Sequence, residues 1–322
     1  MHKKKRIGNM KNKFIISKWG RESCFYAAWM MKILNKQILC KAGTKINEDV
    51  ANMNEYGAWV LDGATGLNGE NIVDGESDAK WFVTWWDTYL SNNIYKDENL
   101  QKIIEKGIKL IKEEFFNRAK DQNLSKIDFP SSSIVVIKWE KSCLEYFSLG
   151  DVLLMLQNED KIQMIIDHNI TKLDHKVFKA MEHLMEKEKK NMIEAKEDVM
   201  DLIVSNRLLK NTENGYWILG FNETAAKNGL YGTIKLGNNT KVFIASDGFT
   251  ALADKYNYLN ISEFIPEIEK TGVDKLYHIL RDIEEKDSEG QLFPRFKKTM
   301  MPQPFISHLK ITVSEREVEI FV

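Results

Sequence analysis

Two short apolar runs, Ala58-Trp59-Val60-Leu61 and Val242-Phe243-Ile244-Ala245, each lead straight into an acidic turn, Asp62-Gly63 and Ser246-Asp247-Gly248. Short apolar runs bounded by turn residues read as rigid buried strands. Pro130 and three serines break the chain before another such run over 134–139. Apolar segments at 144–148, 152–156 and 162–166 follow at short spacing, which predicts a meander of antiparallel hairpins. Further strands are expected at 37–40, 57–61, 216–219, 231–236 and 241–245. A polar loop carrying Asn47-Glu48-Asp49 separates the first two.

Helical periodicity is clear in two places early in the chain. Over 77–90, Trp81, Phe82, Trp85, Trp86, Tyr89 and Leu90 form a broad stripe, read as core. Over 101–119, Ile104, Ile108, Ile111 and Phe115 repeat the pattern. A highly charged helical stretch runs from 174 to about 209, where Glu186-Lys187-Glu188-Lys189-Lys190 reads as a solvated face. Helices over 250–285 carry Leu276, Ile279, Leu280 and Ile283 on one face. Residues 1–33 fit no period and are expected to be an N-terminal extension. No linker or repeat divides 34–322, which is expected to form one domain. Strands grouped together and helices grouped elsewhere indicate an α+β fold with helices outside packed sheets.

Composition removes several functional classes. With 46 Lys+Arg against 47 Asp+Glu the net charge is −1, so no whole-molecule field favours nucleic acid or an anionic membrane. The basic opening His2-Lys3-Lys4-Lys5-Arg6 reads as a solvated tail. Cys24, Cys40 and Cys143 are odd in number and lack CxxC spacing, which suits a reducing compartment. The apolar stretch 24–31 is cut short by Lys32, too short to span a bilayer. A cytoplasmic protein without membrane or nucleic-acid partners is expected.

The acids carry the chemistry. Carboxylates at the ends of rigid strands are good ligands for hard cations, and a following Gly lets backbone or metal approach. Asp-Gly is equally an ordinary turn former. Taken together, Glu48, Asp49, Asp62, the Gly63 carbonyl, Asp151 and Asp247 have the oxygen chemistry that Mg²⁺ or Mn²⁺ requires. The six histidines show no paired metal spacing, and His168 and His175 are expected at the surface.

The ordered series Asn47-Glu48-Asp49, Val60-Leu61-Asp62-Gly63, Ser131-Ser132-Ser133-Ile134-Val135-Val136, Ser148-Leu149-Gly150-Asp151 and Ala245-Ser246-Asp247-Gly248 resembles the protein phosphatase 2C family in its compact bacterial form. These are metal-dependent serine/threonine phosphatases. Asn211–Trp217 and Phe293-Pro294-Arg295-Phe296-Lys297 also look like segments of that subgroup. The resemblance spans roughly residues 37–299 and implies a four-layer αββα sandwich with two central antiparallel sheets. It implies that Asp62 bridges two metals, that the Gly63 carbonyl binds one of them and Asp247 the other. Glu48 and Asp49 would hold metal-bound waters, and Asp151 matches the position of a third, weaker metal. The implied reaction is hydrolysis of phosphoserine or phosphothreonine in a phosphorylated protein by a metal-activated water, with no covalent intermediate. A monomer is expected.

Three departures bear on activity. Where many relatives carry an Arg for substrate phosphate, only Lys45 or Lys41 is present, without the bidentate guanidinium fork. The His that follows Asp-Gly in many relatives is Ala64; loss of a general acid costs on the order of 10²–10⁴ in rate. After Lys298 the subgroup would continue Asp-Asp-Ala-Thr-Ala, whose first Asp is a metal ligand, but this chain reads Thr299-Met300-Met301-Pro302-Gln303-Pro304. Met is a poor ligand for a hard cation. Met-Met-Pro forces GAT and then GCC in the neighbouring frame, codons for Asp and Ala. Residues 300–322 are therefore expected to be an aberrant, frameshifted tail, which the gene's nucleotide sequence tests. The alternation of 309–322 resembles a hairpin. A direct alignment of Ile311-Thr312-Val313 with the family's last strand instead puts Leu309 where the Asp belongs. The alternative to an active phosphatase is accordingly a catalytically impaired pseudophosphatase, acting as a binding or regulatory module.

Overall fold

A computed structural model describes residues 28–41, 46–67, 71–73, 75–120, 123–140, 142–159, 161–237, 239–295 and 305–316. Ten strands fall into two antiparallel five-stranded sheets. One sheet has the order β2-β3-β4-β5-β8, from β2 (Asp49–Met53), β3 (Gly57–Ala64), β4 (Ser131–Glu140), β5 (Cys143–Leu149) and β8 (Leu230–Lys235). The other has the order β1-β10-β9-β6-β7, from β1 (Ala28–Leu39), β10 (Phe305–Arg316), β9 (Thr240–Ala245), β6 (Leu153–Asn158) and β7 (Lys161–Ile165).

The continuous apolar strands are explained by burial on both faces. In β3, Ala58 and Val60 face the second sheet and pack with Val135, Ile137, Leu154, Val242 and Ile244. Their neighbours Trp59 and Leu61 face the other way, onto Phe82, Trp86 and Leu90 of α1 (Asp78–Ser91) and Ile104, Ile108 and Phe115 of α2 (Leu100–Ala119). In β9, Phe243 and Ala245 likewise pack on α7 (Asp247–Asp254), α8 (Phe264–Thr271) and α9 (Val273–Lys286). The outcome is the expected αββα sandwich. Its start signals are local: the Ser77 side chain accepts from Lys80 N–H and caps α1, and Asn99 does the same for α2.

Several local expectations change. The meander is not continuous, because the chain crosses from one sheet to the other between β5 and β6. The crossing uses Gly150 at φ +80°, a left-handed conformation that Gly adopts without steric cost. Asp49 opens β2 rather than lying in the polar loop. Residues 216–219 make only isolated bridges, Lys210↔Tyr216 and Ser132↔Leu219. The long charged stretch is three helices, α3 (Asn169–Glu188), α4 (Met192–Asp198) and α5 (Met200–Leu208). Lys189 in a left-handed conformation ends the first, and a capping box of Asn191 and Glu194 starts the second. Trp81, Trp85 and Tyr89 are only half-buried, so the stripe on α1 is wider than the core it covers.

Both chain ends differ from expectation. β1 begins at Ala28, inside the segment read as an extension. Among the described residues, the segment read as an aberrant tail supplies one strand, with β10 paired to β1 on one side and β9 on the other; residues 317–322 of the expected hairpin lie outside them. A strand entering between two others gains ladder hydrogen bonds on both edges.

Candidate active site

The site lies where the two sheets end together. Asp49 stands directly opposite Asp62 in the β2–β3 ladder, and Asp62 opposite Ser133 in the β3–β4 ladder. Asp247, the first residue of α7 just after β9 of the other sheet, lies near enough for its carboxyl group to interact with that of Asp62. Asp151, at the crossing, completes the cluster and accepts a bond from Ser133 Oγ at 2.7 Å. Asp62 and Asp247, far apart in sequence, are thus brought near each other, one inside β3 and the other at the first position of α7 just after β9.

The surroundings hold these acids in place. Gly63 N–H donates to Asp49 Oδ1 at 3.1 Å, and Asp49 N–H donates to Asn47 Oδ1 at 3.1 Å. Glu48 Oε1 accepts from Thr65 Oγ1 and Ser77 Oγ, each at 2.8 Å, tying the site to the cap of α1. A side chain at Gly63 would press into the Glu48 carbonyl, so only Gly allows β2 and β3 this close.

Electrostatics follow from crowding. Burial, then the charges of Asp49, Asp247 and Asp151, push the Asp62 carboxyl well above the usual carboxylate range. Burial and the field of Asp247 push Asp151 up to about 7, although its bond from Ser133 pulls the other way. Asp247 is raised by burial, partly offset by its bonds with Asp62 and Gly248 N–H. Its side chain still keeps an exposed face, so protein crowds it on one side and solvent reaches it on the other. Two carboxyl groups this near each other make it costly to ionise both.

Sequence reasoning missed two members. Asp174 on α3 is pushed up to about 7 by burial and Asp247, against the opposing fields of Arg207 and Lys255. Lys255, just past α7, is brought down to about 8 by burial and donates to the Pro294 carbonyl at 2.6 Å. Asp174 sits in a charged helical run that resembles any solvated face, and Lys255 at the end of α7 resembles an ordinary surface lysine. Ser133 was part of a recognised motif, but its bond to Asp151 needed the fold. His168 and His175 are exposed.

Two expectations about phosphate and metal have different outcomes. Lys41 is taken by Asp274, at 2.9 Å, and lies over the Tyr277 ring, while Lys45 lies outside the described residues. Thr299–Pro304, where a further Asp would stand, also lie outside them. The donor set is all oxygen and strongly acidic, which fits Mg²⁺ or Mn²⁺ in chemistry. Among the described residues, no three His, Cys, Asp or Glu side chains are gathered closely enough to hold a metal ion. None of the described helices is long and apolar enough to cross a membrane.

No family profile and no curated protein matches the chain. Solved structures do. The serine/threonine phosphatase PstP/Ppp of Mycobacterium tuberculosis aligns over 88% of this chain and 98% of its own, with a TM-score of 0.50 and 11% identity. Stp1 of Staphylococcus aureus, a serine/threonine phosphatase, aligns over 91% and 99% with a TM-score of 0.49 and 13% identity. A PstP catalytic domain solved with two manganese ions aligns over 89% and 99%, with a TM-score of 0.48 and 9% identity. At such identities the likeness concerns the fold. This chain has the phosphatase 2C-like α+β sandwich fold.

Proposed function

We propose that this chain is a metal-dependent phosphatase acting on phosphoserine or phosphothreonine in proteins. One observation supports the reading: Asp62, from one sheet, feels the charges of Asp49, Asp151 and of Asp247 at the start of α7, so carboxyl groups from distant segments crowd one another. A bound divalent cation would relieve that repulsion. The residues that would hold Mg²⁺ or Mn²⁺ are Asp62, the Gly63 carbonyl and Asp247, with Glu48, Asp49 and Asp151 around them. Divalent ions bound there would acidify water and offset charge on a phosphoryl group.

The protein's own groups do the remaining work. Asp49, held by Gly63 N–H, and Glu48, held by Thr65 and Ser77, are fixed acceptors that orient water at the site. Ser133 fixes Asp151. With Ala64 in place of a histidine, protonation of the leaving serine or threonine oxygen falls to water, so turnover is expected to be slow.

A second reading, a binding module of the same fold, is favoured by Thr299-Met300-Met301 following Lys298 where the resemblance expects an Asp ligand. Hydrolysis of p-nitrophenyl phosphate with and without Mn²⁺ separates the two, repeated on Asp62→Asn and Asp247→Asn. Mn²⁺-dependent turnover lost in both variants supports the enzyme; equal rates in all three proteins reject it.

A further inference from the structure

Away from the acidic centre, a second cavity of about 460 Å³ opens between the C-terminal half of α2, the approach to β4 and the segment after α5. Three lysines line it, Lys112, Lys126 and Lys210, together with the rings of Phe116, Phe129 and Phe221. Lys210 is only 4% exposed. Its backbone is pinned: Asn211 N–H donates to the Tyr216 carbonyl at 2.8 Å, and Asn211 Oδ1 accepts from Ile218 N–H at 2.9 Å.

Two of the three lysines, Lys126 and Lys210, have their ammonium groups on backbone carbonyls, while Lys112 faces Glu223. Lys210 Nζ donates to the Phe129 carbonyl at 3.0 Å, and Lys126 Nζ to the Leu208 carbonyl at 3.3 Å. Among the described residues neither forms an ion pair. Glu223, the acid on the cavity wall, lies 3.8 Å from Lys112 and 3.7 Å from Lys109. A buried ammonium with one carbonyl acceptor leaves donors unmet, which is costly unless an anion meets them or the proton leaves. Burial and the nearby charges of Arg207 and Lys126 accordingly bring Lys210 down to about 7. A surface lysine would extend into water, whereas this one is 4% exposed and bonded to the Phe129 carbonyl.

We infer that this cavity is a binding site for a small organic anion, a carboxylate, sulfonate or phosphate group on a flat apolar body. The anionic group would accept from Lys210 and Lys126, and the body would lie against Phe116, Phe129 and Phe221. The volume fits one or two fused rings, within the usual range for small-molecule sites. This site is independent of the acidic centre and of whether that centre is catalytic.

The test is calorimetric titration of 2-naphthalenesulfonate into the full chain in EDTA. One site per chain is expected, weakened roughly 10- to 100-fold by Lys210→Met, the loss of a charge-assisted hydrogen bond. Lys126→Met and Phe116→Ala should each weaken it by smaller factors, and they decide the matter if Lys210→Met does not fold. Asp247→Asn should leave the affinity unchanged. The inference is overturned if no binding occurs below ~1 mM. Equal affinity of the cavity variants, equal affinity for uncharged 2-naphthalenemethanol, or loss of binding in Asp247→Asn would also overturn it.

Discussion

Replacing Asp62 by Asn should make the metal-free protein more stable while removing its response to metal. Asp62 faces Asp49 across the β2–β3 ladder and also meets the fields of Asp247 and Asp151. Directly opposed residues in a sheet have Cβ atoms about 5 Å apart, and one like-charge pair at that distance costs about 3 kcal/mol at an effective dielectric of ~20. The wild type escapes part of this by keeping Asp62 protonated, at about 1.4 kcal/mol for each pH unit between its folded and unfolded pKa values. Because the folded value is raised, the folded state holds the proton more tightly, so wild-type stability falls as pH rises from about 4 through that value. Asn does not titrate. The variant's advantage should therefore vanish below about pH 4 and reach about 2 kcal/mol near pH 8 in EDTA. For a domain this size that is a rise of roughly 4–8 °C in melting temperature. Differential scanning fluorimetry across pH reads it directly. Mn²⁺ should raise the melting temperature of the wild type and not of the variant. If Asp62→Asn melts at or below the wild type in EDTA near pH 8, the acids are not in electrostatic conflict.

Three further outcomes follow from other contacts. Gly63→Ala would drive a methyl group into the Glu48 carbonyl and to 2.9 Å from Val83 Cγ1, costing about 1–3 kcal/mol in urea unfolding. Ser133→Ala removes the 2.7 Å bond to buried Asp151 and should cost about 1–2 kcal/mol; because that bond pulls the Asp151 pKa down, its titration, followed by carboxyl-detected NMR, should move up. Arg295 is fully buried, bonds to Asp287 at 2.9 Å and donates to the Phe293 carbonyl at 3.1 Å. Arg295→Ala leaves Asp287 without its countercharge and should cost about 3–5 kcal/mol, measured by the same unfolding; a loss below ~1 kcal/mol would show the pair to be dispensable.

How much of this was legible differs from element to element. The strands 58–61 and 242–245 and the helical stripes are local patterns, and they indicate an α+β fold with helices outside packed sheets, while the four-layer αββα order rested on the resemblance. The crossing at Gly150-Asp151 was not legible, because a turn between hairpin strands and a turn between sheets use the same residue types. Nor were the roles of Asp174, Lys255 and Lys210, which in one dimension are charged residues among many. Their significance arises only when packing removes water around them.

Periodicity and turn chemistry in the chain itself therefore settled the fold class, most elements and the acids worth watching, because these depend on neighbours a few residues apart. Only the tertiary structure decided that Asp62 and Asp247 come near enough to feel each other's charge, and that Lys210 is buried. Both are facts about distance and dielectric, and these come into being only when separate segments exclude solvent together.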